Sequence, residues 1–433
     1  MEHFPTLKYF IGFFCFASVL FGETIQLNLS ETTARAIKES EDYQIQQNEV
    51  VKARYKAKET SSVLFPQITG ELTYLNNVHY PDLPLTRFTK NFNFEAGVSV
   101  NQIITTFGKI SSSIAALKKL TSMNKYRQES VKDEVVFNSK LLYYNAFFAK
   151  RMLEITKESY ENTVKNKELL EKISETGRLS KRDTIKMEAD IAARIPMVSN
   201  AESTYSTALE SLKKAIGADF KDTIELTDGY PQSYEKFEIG KALEQLEQRQ
   251  PTLKALLEAV SAQKKIVSSK RAEYFPTLSA FFRYNYKGAS DDYFIGSDVL
   301  FPYSAVGLNL QVPLFYGNRT RDKIKQSLAD KDNAILTYKK TKKTLELELE
   351  KAVTEYQELI QTLPASEKAV QLAEKSFRLS QDLFSSGQLS STDLNDAEMM
   401  LTTQRIKNET NLFKLQVALA KIQRLIHLGD FHE

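Results

Sequence analysis

The sequence runs to 433 residues with one cysteine and no tryptophan. A single thiol excludes a disulfide framework and a cysteine-built zinc site. Charge of one sign is also missing. There are 58 Lys and Arg against 55 Asp and Glu, and a net charge of +3 gives no electrostatic case for nucleic acid. Only 15 Gly and 11 Pro interrupt the chain, which predicts long unbroken elements. Beyond the N-terminus no run approaches the ~18 consecutive apolar residues of a spanning helix. With a mean hydropathy of −0.37, these absences describe a mostly helical, water-compatible chain. They exclude a helical membrane protein.

At the N-terminus, Tyr9–Gly22 is almost wholly apolar and follows Lys8. The run is too short to span a bilayer, and polar Glu23-Thr24 comes next. Residues 1–22 therefore read as a secretory signal peptide cleaved near Gly22, rather than a buried N-terminal helix. Phe13 and Phe14 stand where a lipoprotein signal needs small residues before Cys15, so a non-lipidated product is expected. The mature chain would be exported and free of cysteine.

The rest of the chain repeats itself. Leu64-Phe65-Pro66 recurs as Tyr274-Phe275-Pro276, and Ala96-Gly97-Val98 as Val306-Gly307-Leu308. Thr176-Gly177-Arg178-Leu179-Ser180 with Asp183 recurs as Ser386-Gly387-Gln388-Leu389-Ser390 with Asp393. All three matches share one spacing, so the chain is a tandem duplication: 23–217, a turn-rich and irregular join over 218–240, and 241–433. Each half opens with a helical stretch, about Ser30–Thr60 and about Lys241–Ala272. An aromatic, Pro-containing segment follows, then a long Lys/Glu/Leu-rich stretch that breaks at the Gly-x-Leu-Ser site.

The aromatic segments, 64–107 and 274–316, hold 19 of the 46 Phe and Tyr, and they alternate. Phe94, Ala96, Val98 and Val100 interleave with Asn93, Glu95, Gly97, Ser99 and Asn101; Val306, Leu308, Leu310 and Val312 interleave with Gly307, Asn309 and Gln311. Period two marks strands with one apolar and one polar face. A water-soluble sandwich edge has the same pattern. However, four strands of about ten residues in an exported, otherwise helical chain match transmembrane strands. Phe65, Phe275, Phe315 and Tyr316 lie at the strand ends, where interfacial aromatics sit. Four strands cannot close a barrel, and lipid tolerates no open edge. Two or three copies would give 8 or 12 strands.

Lys109–Glu175 and Asn318–Ser386 carry apolar residues at alternating threes and fours, such as Leu345, Leu349, Ala352, Tyr356, Leu359 and Leu363. That is a coiled-coil seam on helices of ~100 Å. Shorter return helices follow over about Asp183–Ile216 and Asp393–Leu428. Pro196 and Pro364 sit inside helical patterns and predict kinks or junctions.

Signal peptide, duplication, paired strand segments and two Gly-x-Leu-Ser turns together resemble the TolC-like outer-membrane efflux and secretion channels. The resemblance covers essentially the whole mature chain. It implies a mainly α fold with a transmembrane β part, in which a homotrimer forms a 12-stranded barrel in outer-membrane lipid. A long α-helical coiled-coil tunnel would continue the barrel across the periplasm. It further implies a passive exit duct for a tripartite efflux or type I secretion system. By the same resemblance, Gly177, Arg178, Leu179 and Ser180, with Gly387, Gln388, Leu389 and Ser390, are the tips where a periplasmic adaptor docks. An inner-membrane pump of RND or ABC type would stand behind the adaptor. Asp393 and Asp396, with Asp183 as first-half counterpart, match the acidic ring of the tunnel entrance. Where the best-known pattern has an Arg that helps tie the entrance shut, this chain has Leu389.

A periplasmic coiled-coil adaptor is the alternative, but such proteins usually have one helical hairpin flanked by β-rich domains, not a full-length duplication. An enzyme is a poor reading. The mature chain has three His (His79, His427, His432), no P-loop and no clustered metal-ligand spacing, so no catalysis, cofactor or metal is expected.

Overall fold

The computed structural model describes residues 24–79, 90–174, 181–231 and 234–428. The signal peptide expected over 1–22 lies outside them. The first repeat runs β1 (Thr24–Leu27), α1 (Leu29–Glu39), α2 (Glu41–Ser62), β2 (Gln67–Asn76), β3 (Phe92–Thr105), α3 (Lys109–Ser174), α4 (Lys181–Ile216). β4 (Thr223–Leu226) follows in the join. The second repeat runs α5 (Ile239–Arg249), α6 (Pro251–Arg271), β5 (Thr277–Ser290), β6 (Phe301–Gln311), α7 (Arg319–Ser385), α8 (Ser391–Leu425).

The helical stretch expected at the start of each half is broken once. Ser40 caps α2, its Oγ accepting from the Tyr43 N–H at 3.2 Å. Gln250 precedes Pro251 and caps α6 through the Thr252 N–H. A capping side chain and a Pro at the first helical position each start a new helix. The two breaks hold the same place in the two repeats. At Pro196 and Pro364, by contrast, α4 and α7 run on unbroken.

Duplication is visible in the backbone too. Gly217 ends α4 at φ +67, and His427 ends α8 at φ +52 in the equivalent place. Both ends make the same pair of bonds, Ala218 N–H to the Lys213 carbonyl (3.0 Å) and Leu428 N–H to the Gln423 carbonyl (2.9 Å). This is the left-handed helix stop that glycine favours. His427 takes it up while its Nδ1 lies 2.6 Å from Asp133 Oδ2. Burial holds the Asp133 carboxyl above its usual range, against the opposing pull of His427.

The chain divides into two units. One comprises Ser40–Phe137, Glu235–Glu358 and the residues from Ala418 on, and it contains a four-stranded antiparallel sheet in the order β2-β3-β5-β6. Register keeps parity across every junction: Leu72 faces Ala96, Ala96 faces Tyr286, and Phe282 faces Val306. One face is therefore largely apolar, and its outer strand is bare: Val306 is 82% and Leu308 71% exposed. A sheet this apolar and this open is not a water-facing surface. On the opposite face Glu95 pairs with Lys287 at 3.1 Å and accepts from Asn285 Nδ2 at 2.6 Å, and Thr69 bonds Ser99 at 2.7 Å. Two glycines there make room for neighbours: a Cβ on Gly97 would strike Asn285 at 1.9 Å, and one on Gly307 would strike the Phe281 ring at 2.7 Å.

The other unit comprises the residues up to Glu39, Asn138–Tyr234 and Leu359–Val417. Here β1 pairs with β4 in parallel, so the join expected to be irregular carries a strand. Leu27, Ile224 and Leu226 of this small sheet pack with Tyr143, Leu212 and Ile216. The Tyr143 hydroxyl is buried, accepts from the Asp228 N–H (2.9 Å) and donates to the Asp228 carbonyl (3.0 Å). Burial pushes it up to about 12. A second cluster joins Leu170 and Met187 with Ala373, Phe377, Phe384, Leu394 and Leu401.

Candidate functional site

The turn between α7 and α8 can be built atom by atom. Gly387 sits at φ +76. Its N–H bonds the Phe384 carbonyl and the Gln388 N–H bonds the Leu383 carbonyl, both at 2.9 Å. These are the two bonds of a Schellman stop, which satisfy carbonyls that the helix end would leave bare. No atom lies within 4 Å of a Cβ built on Gly387, so backbone conformation alone selects glycine there. Leu389 packs against the Leu170–Leu401 cluster, while Gln388 and Ser390 are exposed. Ser390 then starts α8: its Oγ accepts from the Asp393 N–H (3.2 Å) and donates to Asp393 Oδ2 (2.6 Å). That is a serine N-cap whose hydroxyl is itself held by the Asp393 carboxylate. The first turn, Gly177, Arg178, Leu179 and Ser180, lies outside the described residues.

The acidic candidates separate on this geometry. Asp393 is exposed but engaged in the cap. Asp396, one turn on, is exposed and makes no hydrogen bond or ion pair. Asp183 is half-buried in the first turn of α4 and makes neither among the described residues. Lys186 Nζ donates to Thr392 Oγ1 at 3.0 Å and so ties the starts of α4 and α8 together.

Two residues beyond Asp396 lies a feature that sequence reasoning missed. Glu398 is 1% exposed and pairs with Arg194, which is 12% exposed. Its other oxygen accepts from Ser159 Oγ (2.6 Å) and Thr402 Oγ1 (2.9 Å). Arg194 also donates to Ser159 and to Asn395 Oδ1 (3.5 Å). Further along α8, Arg405 pairs with Glu158 at 2.7 Å and Glu374 at 2.6 Å, and Glu409 with Arg151 at 3.2 Å. Burial raises the Glu409 carboxyl, with Arg151 pulling the other way. Positions 398, 402, 405 and 409 recur at the four–three spacing of a packing seam, but they are polar. That pattern was the available signal.

Phe65 and Phe275 are exposed two residues before β2 and β5, and Phe315 and Tyr316 are exposed shortly after β6. Among the described residues no helix is long and apolar enough to cross a membrane. No group of three or more His, Cys, Asp or Glu among them is arranged to hold a metal ion.

A helical chain with a bare-faced sheet of membrane-spanning length has the architecture of an outer-membrane channel subunit. Residues 242–426 match the family model of outer membrane efflux proteins. Three solved structures share the fold. The CmeC outer membrane channel of Campylobacter jejuni is 16% identical, with a TM-score of 0.79 over 92% of this chain and 85% of that one. VceC from Vibrio cholerae is 16% identical, with 0.79 over 92% and 95%. The MtrE outer membrane channel of Neisseria gonorrhoeae is 14% identical, with 0.77 over 92% and 88%. No curated protein matches the chain. The second repeat thus resembles the outer membrane efflux proteins, and the fold over the described length is that of solved TolC-like outer-membrane channels.

Proposed function

We propose that three copies of this chain close a 12-stranded barrel and serve as the exit duct of a tripartite efflux or type I secretion system. The observation that carries this reading is the pair of open edges, β2 and β6, on a sheet whose outer face is apolar. Backbone groups cannot stay unpaired in lipid, so another copy must complete each edge. An apolar groove of about 920 Å³ between α2 and α3, lined by Tyr55, Leu117, Leu120 and Met123, also lacks a cover in the single chain. A neighbouring copy is the occupant we assign to it.

The duplication specifies how the copies meet. The β2–β3 and β5–β6 registers are the same once the repeat spacing is applied, Gln67 opposite Asn101 and Thr277 opposite Gln311. The β3–β5 junction, with Val98 opposite Tyr284, is then the internal copy of the junction between subunits. It puts Leu308 opposite the partner subunit's Tyr74, and Leu310 opposite the partner subunit's Leu72. Asn309 meets the partner subunit's Thr73, and Gln311 the partner subunit's Glu71. Apolar meets apolar, and polar meets polar. With Cys15 removed along with the leader, Asn309→Cys with Thr73→Cys should oxidise to a covalent trimer in outer-membrane fractions. Cross-linking only by the slipped pair, Asn309→Cys with Leu75→Cys, or recovery as a periplasmic monomer, would refute this.

Within that assembly the turns Gly177–Ser180 and Gly387–Ser390 are the adaptor-docking tips, with an RND or ABC pump behind the adaptor. Of the entrance carboxylates, Asp396 is the freest to meet cations; Asp393 and Asp183 add to the field.

A further inference from the structure

Lys109 and Arg319 hold equivalent places in the two repeats, each the first residue of a long helix. Both line one cavity of about 160 Å³, with Glu273, Phe275, Thr277, Gln311, Tyr316 and Thr320. Thr277 and Gln311 belong to the sheet face that carries the Glu95–Lys287 pair, so the cavity opens on the polar face.

The charge in the cavity is unbalanced. Glu273, the one carboxylate, is already held by Lys270 at 3.2 Å and Lys323 at 3.1 Å. Lys109 and Arg319 make no ion pair among the described residues. The Arg319 guanidinium lies over the Tyr316 ring, 4.7 Å from its centre, a cation–π contact that holds it at the cavity. The Thr320 side chain is only 8% exposed and makes no hydrogen bond. Thr320 lines the cavity, so its hydroxyl is a donor open to that space beside two cations without carboxylate partners. At about 30 Å³ per water, the space takes a small oxyanion with a little solvent.

We propose that this cavity binds a phosphate group, held by Lys109, Arg319 and Thr320 on the polar wall of the sheet. In a closed barrel the site would recur at each copy and form a cationic station opposite in sign to the entrance carboxylates. The ligand is a free or solute-borne phosphate, or a phospholipid headgroup; the chemistry is shared. The proposal rests on the conduit reading only in that the polar face is reached through the lumen.

The test uses the full mature protein in detergent, titrated calorimetrically with inorganic phosphate. Wild type should bind saturably, about tenfold more weakly in Lys109→Gln or Arg319→Gln, with loss in the double variant. Thr320→Val, which keeps shape, should weaken binding without touching charge. If native mass spectrometry instead finds a phospholipid retained by wild type and shed by the double variant, the headgroup is the source. Equal phosphate binding in wild type and double variant, or neither phosphate binding nor a retained lipid in wild type, overturns the site. Phosphate-free conductance in planar bilayers reads the conduit separately. A conducting protein with neither phosphate binding nor a retained phospholipid sinks this site alone.

Discussion

Removing Arg194 should leave Glu398 charged and buried with only the Ser159 and Thr402 hydroxyls for company. Breaking a buried pair from one side costs about 3–5 kcal/mol, and the two surviving hydroxyl bonds place Arg194→Ala near the lower end. At roughly 2 cal/mol/K of unfolding entropy per residue, a chain of this size has about 0.8 kcal/mol/K, so Tm should fall by about 4 °C. Arg194→Met with Glu398→Leu removes both charges at similar volume and should return Tm to within about 1 °C of wild type, or above it. Far-UV circular dichroism of the detergent-solubilised protein measures both. If Arg194→Ala leaves Tm unchanged, the cluster is not a desolvated pair in solution. If the double variant falls as far as the single, packing rather than charge is what the cluster supplies.

Four further outcomes can be checked in the same preparation. Tyr143→Phe strands the Asp228 N–H and carbonyl and should cost about 1–3 kcal/mol, read as a lowered Tm. Gly387→Ala meets no steric obstacle but must hold φ +76, at about 1–2 kcal/mol, and Gly387→Asn should cost less. Glu409 is raised by burial, so the folded chain binds its proton more tightly than the unfolded chain. Stability should then rise as pH falls from neutral through the raised value towards the ordinary 4.5, and Glu409→Gln should flatten that segment of a Tm–pH plot. Asp396→Asn should weaken divalent-cation block in planar bilayers, whereas Asp393→Asn should mainly loosen the start of α8, by about 1 kcal/mol. Unchanged block in Asp396→Asn removes it from the entrance.

Alternation in 93–101 and 306–312 was enough to orient the sheet, because period two leaves little freedom in which side faces where. Spacing between repeats was equally legible, since three short matches shared it. What stayed hidden was hidden for physical reasons. β1 is four residues long and β4 four residues long, too short for a period to register. The breaks at Ser40 and Gln250 depend on a cap and on Pro251, while Pro364 interrupts nothing in α7, so proline alone does not decide. His427 adopts a backbone that its type does not announce. Arg194 and Glu398 lie far apart in sequence on faces that read as solvated until the helices are packed. The candidate entrance acids were visible as charges, but the cap that engages Asp393 needed coordinates.

Gly97 and Gly307 let Asn285 and Phe281 lie flat across the neighbouring strand. In a duct, such flattening sets the calibre: the wall is smooth there, and the clear width is fixed by backbone spacing instead of by how far side chains protrude. A methyl group at either glycine would lift its neighbour off the wall and into the stream. Gly97→Ala or Gly307→Ala would then narrow the duct at that level without adding a charge.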